Sequence, residues 1–340
     1  MLFALQCAPG TILFLLPQRH ATGAAFSMAP RYAGTDCCTQ QSKGHCPPPD
    51  NRRNACHPAA LLPAFLTHLP VLLRFCRPSP PSPQWRYAFA QRSDAGMVRP
   101  NNEDAVHVEV APAWSVAVLA DGMGGYRAGE VASALAVKCI TQSLQHSALK
   151  SAKKHQPPRM AVVRRALEHC VQAANTAVRT HAREHADCKG MGATVVAAVF
   201  TQDRLVLAHL GDSRAYLWRG ANLTQLTSDH SWLQEQIDAG QISTDAAAQS
   251  GLGHLVTRAL GVSDRARPTL REQALEAGDR ILLCSDGLSD LLAAGEIAAL
   301  LATAEPLERQ AEQLIARANA LGGHDNISVI LASVEAASAD

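Results

Sequence analysis

The stretch from Leu119 to Ser133, LADGMGGYRAGEVAS, restricts the fold more than any other part of the chain. The preceding SVAVLA is apolar and β-branched at alternate positions, as at the end of a buried strand. It delivers Asp121 into a turn holding Gly122, Gly124 and Gly125. Glu130 then opens a helical pattern with Val131, Ala134, Leu135 and Cys139 on its apolar face. A carboxylate at a strand end, followed by glycines that admit close backbone approach, makes half of a metal or phosphate site. The other half has to come from elsewhere.

Bulk properties remove several function classes. The chain of 340 residues carries 31 basic and 30 acidic side chains, so no global field favours nucleic acid or anionic lipid. Aromatic residues at 4% leave little for a base-stacking surface, while 47% apolar residues are ample for a large core. Of the ten cysteines, six precede residue 80, and Cys139, Cys170 and Cys284 lie in apolar patterns as small core residues. No paired zinc spacing or disulfide framework is present.

Residues 1–84 differ from the rest. Prolines gather at Pro47–Pro49, Pro58 and between Pro78 and Pro83, and no periodicity persists, which predicts a disordered extension. The apolar stretch at 61–76 is interrupted by Pro63 and Pro70 and is too short to span a bilayer. His45, Cys46 and Arg52 spell the H-C-x5-R signature of cysteine-dependent phosphatases. Three of the five intervening residues are Pro47, Pro48 and Pro49, which have no N–H to offer a phosphate. The match is chance.

From Trp85 onward strands and helices alternate with acids at their joints. WRYAFAQRSDAG reads as a strand turning at Asp94–Gly96, and AVHVEV as a second that hairpins into SVAVLAD. Between the first two lie Arg99, kept extended by Pro100, and then Glu103 and Asp104. These can converge with Asp121 on one rim, although alone they also fit a charged hairpin loop with a surface ion pair. Met160, Val163, Leu167, Cys170, Ala174 and Ala177 mark a second helix. MGATVVAAVF, LVLAHLGDSRAYLWRG and NLTQLT read as a β-meander interrupted at Gly211-Asp212-Ser213-Arg214. Short helices are expected within Asp229 to Gly253. RILLCS then delivers Asp286 and Gly287 into a helix, and Asp325-Asn326 introduce the closing strand ISVILA.

Four carboxylates at strand edges would repel strongly if they met without a cation. Carboxylate and carbonyl oxygens are hard ligands of the kind Mg2+ and Mn2+ take. Two such ions would suit phosphate-ester hydrolysis by lowering the pKa of a shared water and neutralising phosphoryl charge.

From Trp85 to Val334 the chain resembles the metal-dependent protein Ser/Thr phosphatases of the protein phosphatase 2C (PPM) family in their bacterial form. Eight motifs carry the likeness in order: SDAGMVRPNNEDA, LADGMGGYRAGEVAS, GATVVAAVF, LGDSRAYLWR, LTSDHSW, TRALG, LLCSDGLSDLL and GGHDNISVIL. The resemblance implies an α+β fold, a four-layer αββα sandwich of two antiparallel sheets flanked by helices. It implies a catalytic domain at 85–336 with a flap at about 229–253, and a short tail at 337–340. It further implies that Asp121 bridges two Mn2+ or Mg2+ ions, that the Gly122 carbonyl completes one shell, and that Asp286 and Asp325 hold the first ion. Glu103 would reach the second through water, with Asp104 supporting that shell. Bacterial members can hold a third ion with the acids matching Asp212 and Asp286. Arg99 would clamp phosphate, a task its planar fork suits. Tyr126, a polar residue in the same turn, either contacts substrate at the phosphate entrance or packs as a loop tyrosine. The implied reaction is direct attack of a metal-activated water on phosphoserine or phosphothreonine, without a phospho-enzyme.

Departures from the family pattern fall in the Gly-rich turn. Met123 stands where many eukaryotic members carry a candidate general-acid histidine, and a thioether has no proton to donate. Tyr126 stands where bacterial members often carry histidine, and His254 where asparagine is common. A catalytically dead phosphoprotein-binding module would show gaps among the acids, and none appear. A serine hydrolase using Ser285 or Ser213 lacks a G-x-S-x-G elbow. The expected partners are phosphoprotein targets of a Ser/Thr protein kinase, met by a monomer in the cytoplasm with no transmembrane segment.

Overall fold

The computed structural model describes residues 85–111, 113–125, 128–147, 158–248, 250 and 255–336. The expected extension at 1–84, the tail at 337–340, Tyr126 and His254 lie outside those residues.

Two antiparallel sheets form the centre. One runs β1 (Trp85–Asp94), β11 (Ile327–Ala336), β10 (Arg280–Cys284), β7 (Arg214–Arg219) and β8 (Asn222–Gln225) in that spatial order. The other runs β2 (Asp104–Ala111), β3 (Trp114–Met123), β5 (Val195–Thr201), β6 (Arg204–Leu210) and β9 (Thr269–Ala274), with the two-residue β4 (Gly192–Ala193) paired to β3. Helices α1 (Ala128–His146) and α2 (Met160–Glu184) cover the second sheet, and α5 (Asp286–Ser289), α6 (Ala294–Leu301) and α7 (Leu307–Ala320) cover the first. The short α3 (Trp232–Asp238) and α4 (Thr244–Ala248) lie in the expected flap. The four-layer α+β sandwich is therefore present.

Alternation within the strands builds three apolar layers. In β3, Val116, Val118 and Ala120 face α1 and α2, while Ala117 and Leu119 face the other sheet. The same division splits β5 into Val195, Ala197 and Val199 on the helix side and Val196, Ala198 and Phe200 on the inner side. Sheets buried on both faces need apolar residues at consecutive positions, which is why these strands read as continuous runs. The inner layer also holds Leu217, Ile281, Leu283 and Ile330 from the first sheet, whose outer face packs Leu282, Cys284 and Val329 on α5–α7.

Two expectations change. The four strands read as one meander belong to two sheets. Chain direction passes from β6 to β7 through Gly211–Ser213, so this interruption is a crossing between layers. The buried face of α1 is Ala132, Ser133, Ala136, Val137, Ile140 and Leu144; Ala134 is exposed, and Val131, Leu135 and Cys139 are only half-buried. VASALAVKCI is apolar nearly all round, so its periodicity does not fix one face. Strand β9, TLREQA, lacks an apolar signal because it is a partly exposed edge. Among the described residues no helix is long and apolar enough to cross a membrane.

Phe200 is fully buried at the seam, with its ring 5.2 Å from those of Tyr87 and Phe89 across the two sheets. Phe200→Ala is expected to lower unfolding free energy by about 3–5 kcal/mol, measured by urea denaturation. A loss under about 1 kcal/mol would mean that this seam does not bind the layers.

Candidate active site

Antiparallel pairing gathers the acids. Strands β1, β3, β6 and β10 end at one edge of the sandwich, and β2, β5, β7 and β11 begin there. The register fixes this: Asp94 pairs with Ile327, Asp104 with Asp121, Val195 with Leu210, and Cys284 with both Arg214 and Val329. An acid just after an ascending strand and one just before a descending strand therefore arrive at the same place. Asp121 lies near the end of β3, Asp286 just after β10, Asp104 at the start of β2, Asp212 just before β7 and Asp325 just before β11.

Polar side chains join the two sheets at this edge. Asn326, 5% exposed, accepts the Glu103 N–H on Oδ1 at 2.7 Å. Its Nδ2 donates to the carbonyls of Ala95 at 3.0 Å and Asn101 at 2.8 Å. The backbone N–H of Asn326 donates to Asp325 Oδ1 at 2.8 Å. The Ser285 hydroxyl donates to Asp104 Oδ2 at 2.8 Å and accepts the Ser328 N–H at 2.9 Å. Behind Asp121, its N–H donates to Thr194 Oγ1 at 3.2 Å, and the Thr194 N–H donates to the Asp121 carbonyl at 2.8 Å. A side chain at Gly122 would overlap the carbonyl oxygens of Gly129 and Glu103, so the start of α1 can close on the Glu103 loop only with glycine here. Asn326, Ser285, Ser328 and Thr194 were not marked by sequence as parts of the site. Thr194 had a signal, a polar residue inside the apolar run GATVVAAVF.

Charge is crowded here. Lost hydration and the neighbouring Asp104, Asp286, Asp212 and Asp325 hold the Asp121 carboxyl well above the usual carboxylate range. Lost hydration and Asp212, Asp290, Asp325 and Asp104 do the same for Asp286. Burial pushes Asp104 up to about 6 against the opposing hydrogen bonds of Ser328 and Ser285. Burial, then Asp229, takes Asp212 to about 7. Burial takes Glu103 to about 7, with Arg99 opposing. Arg99 is the cation on the rim: its Nη2 donates to Asp325 Oδ2 at 2.7 Å.

These residues fit divalent cations. Asp104 Oδ1 is buried with no hydrogen-bond partner, an expensive state for a carboxylate oxygen unless a cation approaches it. The donors are all oxygen, which favours Mg2+ or Mn2+ over zinc or copper. Among the described residues no three acid, histidine or cysteine side chains already close on one point. Asp325 is turned to Arg99 and Asp104 to Ser285.

The family profile "Protein phosphatase 2C" matches residues 98–331. A serine/threonine phosphatase, stp, of Listeria innocua is 35% identical over 242 residues, covering 71% of this chain and 93% of its own length. The serine/threonine protein phosphatase PstP of Mycobacterium tuberculosis is 39% identical over 246 residues, covering 72% of this chain; the chain spans 45% of that protein. The crystal structure of the PstP catalytic domain in complex with two manganese ions superposes with a TM-score of 0.63 at 38% identity, covering 74% of this chain and 99% of that one.

Glu103, Asp104, Asp121, Asp212 and Asp286 all have raised pKa values, so each contributes stability below the ordinary carboxylate range and loses it as pH rises toward neutrality. Buried His209 and His230, with lowered values, act in the opposite sense. Cation binding needs the acids ionised, so the gain in Tm on adding Mn2+ to chelated protein is expected to grow between about pH 6 and about pH 8. A gain constant over that range would mean ordinary, separated carboxylates. Thermal melts in Mn2+ and in EDTA decide it.

Proposed function

The chain belongs to the protein phosphatase 2C family, and we propose that it hydrolyses phosphoserine and phosphothreonine in proteins at the acid-lined edge. The observation that carries this reading is the crowd of raised carboxylates, one with an unpaired buried oxygen, beside the guanidinium of Arg99. In this reading Asp121 would be shared by two Mn2+ or Mg2+ ions, Asp286 and Asp325 would hold one with the Gly122 carbonyl, and Glu103 and Asp104 would serve the other. Asp212 with Asp286 provides for a third. Bound there, the ions supply Lewis acidity, drawing charge off phosphoryl oxygens and making water a usable nucleophile near neutral pH.

The chain's own groups do the rest. Arg99 exchanges Asp325 for two phosphate oxygens and orients the ester for in-line attack. Ser285 keeps Asp104 directed into the cleft. Direct attack by water is favoured over a phosphoserine intermediate because the Ser285 and Ser213 hydroxyls are buried and engaged, Ser285 with Asp104 and Ser213 with Thr194. Met123 has no proton to give, so the leaving alkoxide takes its proton from water. Tyr126, outside the described residues, keeps its expected role as a substrate contact in this proposal. The same proposal has a catalytic domain at 85–336 with a flap at 229–253 after an extension at 1–84, acting as a cytoplasmic monomer on the targets of a Ser/Thr kinase.

Turnover of a phosphothreonine peptide and of p-nitrophenyl phosphate is expected with Mn2+ and abolished by EDTA; chelator-resistant turnover would overturn the reading. Asp121→Asn and Asp286→Asn should each lower kcat by at least about 100-fold. Arg99→Ala should mainly raise KM, by about tenfold or more, and an unchanged KM would remove the clamp.

A further inference from the structure

His230 lies at the root of the flap, 7% exposed, and holds the turn that carries Asp212. Its Nδ1 accepts the Gly211 N–H at 3.1 Å, and its own backbone N–H donates to the Gly211 carbonyl at 2.9 Å. Since Nδ1 is an acceptor, the ring proton sits on Nε2, which donates to Thr269 Oγ1 at 2.9 Å. The ring stacks on His209 with centroids 4.4 Å apart and planes 8° from parallel. His209 Nε2 is in turn bonded to the Ser228 carbonyl at 2.8 Å. Every polar atom of the His230 ring is thus committed.

The Gly211 end of this contact leads to the acids. Gly211 has φ +116°, and a side chain there would overlap Thr194. Thr194 Oγ1 bonds Ser213 Oγ at 2.7 Å and accepts the Asp121 N–H at 3.2 Å. The other end leads into the flap. The His230 carbonyl accepts the Thr257 N–H at 2.7 Å, and Trp232 donates to the Leu255 carbonyl at 2.8 Å. Both roots of the excursion therefore meet at His230, two residues before α3 and within one hydrogen bond of the Asp212 turn.

We propose that His230 is a positioning residue whose ring fixes the Gly211–Asp212 turn against Asp121 and Asp286, and so ties the seat of the flap to the cation site. This rests on the reading of Asp212 as a cation ligand. Asparagine at 230 can place an oxygen where Nδ1 stands and keep the Gly211 bond. Leucine fills a similar volume with neither bond.

Mn2+ titration calorimetry on the full chain, with steady-state kinetics on p-nitrophenyl phosphate, tests the proposal. His230→Leu is expected to weaken the lowest-affinity Mn2+ step by about 10–100-fold and to lower kcat, with KM changed less than about twofold. His230→Asn should recover most of the Mn2+ affinity. A folded His230→Leu protein with the wild-type isotherm, or a His230→Asn protein as weak as His230→Leu, overturns it. Thr269→Val provides a second route if His230→Leu does not fold. It leaves the ring in place, removes the partner that fixes the Nε2 proton, and should weaken the same step by roughly the lower end of that range; an unchanged isotherm overturns the proposal. Asp212→Asn separates the two readings. If it leaves Mn2+ binding intact, the ligand assignment fails; if it weakens binding while the His230 and Thr269 variants do not, only the positioning role fails.

Discussion

Carboxylates brought together in partial burial repel one another, and the architecture of this chain is arranged around holding them against that repulsion. Asp104, Asp121, Asp212, Asp286 and Asp325 come from five different segments and two sheets. None could be kept in place by local structure alone. What holds them is the stiffness of two doubly buried sheets together with neutral hydrogen-bonding groups behind the acids. Asn326 joins the β1–β2 loop to the start of β11, Ser285 joins β10 to Asp104, and Thr194 backs Asp121. Neutral ties of this kind fix position without cancelling the charge that a cation would need.

The division of labour explains how much could be read in advance. The sandwich was legible because apolar runs such as SVAVLA and TVVAAVF need cover on both sides, and because ordered motifs carried a family likeness over most of the chain. Asp121, Asp286 and Asp325 were legible because an acid at the border of an apolar strand stands out. The tying residues were not. Asn326 stands out in sequence only as the residue that introduces β11, and His230 lies without distinction inside the motif LTSDHSW. Their roles depend on partners more than 15 residues away, which a local pattern does not encode. The buried face of α1 was misread for a related reason: a helix apolar around most of its circumference leaves the choice of face to the sheet beneath it.

The Asp212 turn illustrates how topology gives one segment two places in the fold. The chain leaves β6 in one sheet and enters β7 in the other through Gly211–Ser213, so the turn is at once the hinge between layers and a rim of the cleft. A left-handed glycine makes the sharp passage possible, and Thr194 fills the space where a side chain would be. Arg214, directly after the turn, is anchored to Asp229 by hydrogen bonds of 3.0 and 2.6 Å, fixing the strand entry from the opposite side.

The pairing of β1 with β11, from Trp85 opposite Ala336 to Asp94 opposite Ile327, has a temporal meaning. Strand β1 is the first of the described elements to be made, yet the strand it pairs with among the described residues is the last of them. Until β11 leaves the ribosome, the first sheet lacks the strand that links β1 to β10, and Asp325 and Asn326 are not yet in position. A ribosome-bound chain short of that strand has Asp121 and the whole second sheet but neither a closed edge nor a complete set of acids. The set of acids at the edge therefore closes only when β11 pairs with β1 and β10, a long-range contact of the kind that forms slowly.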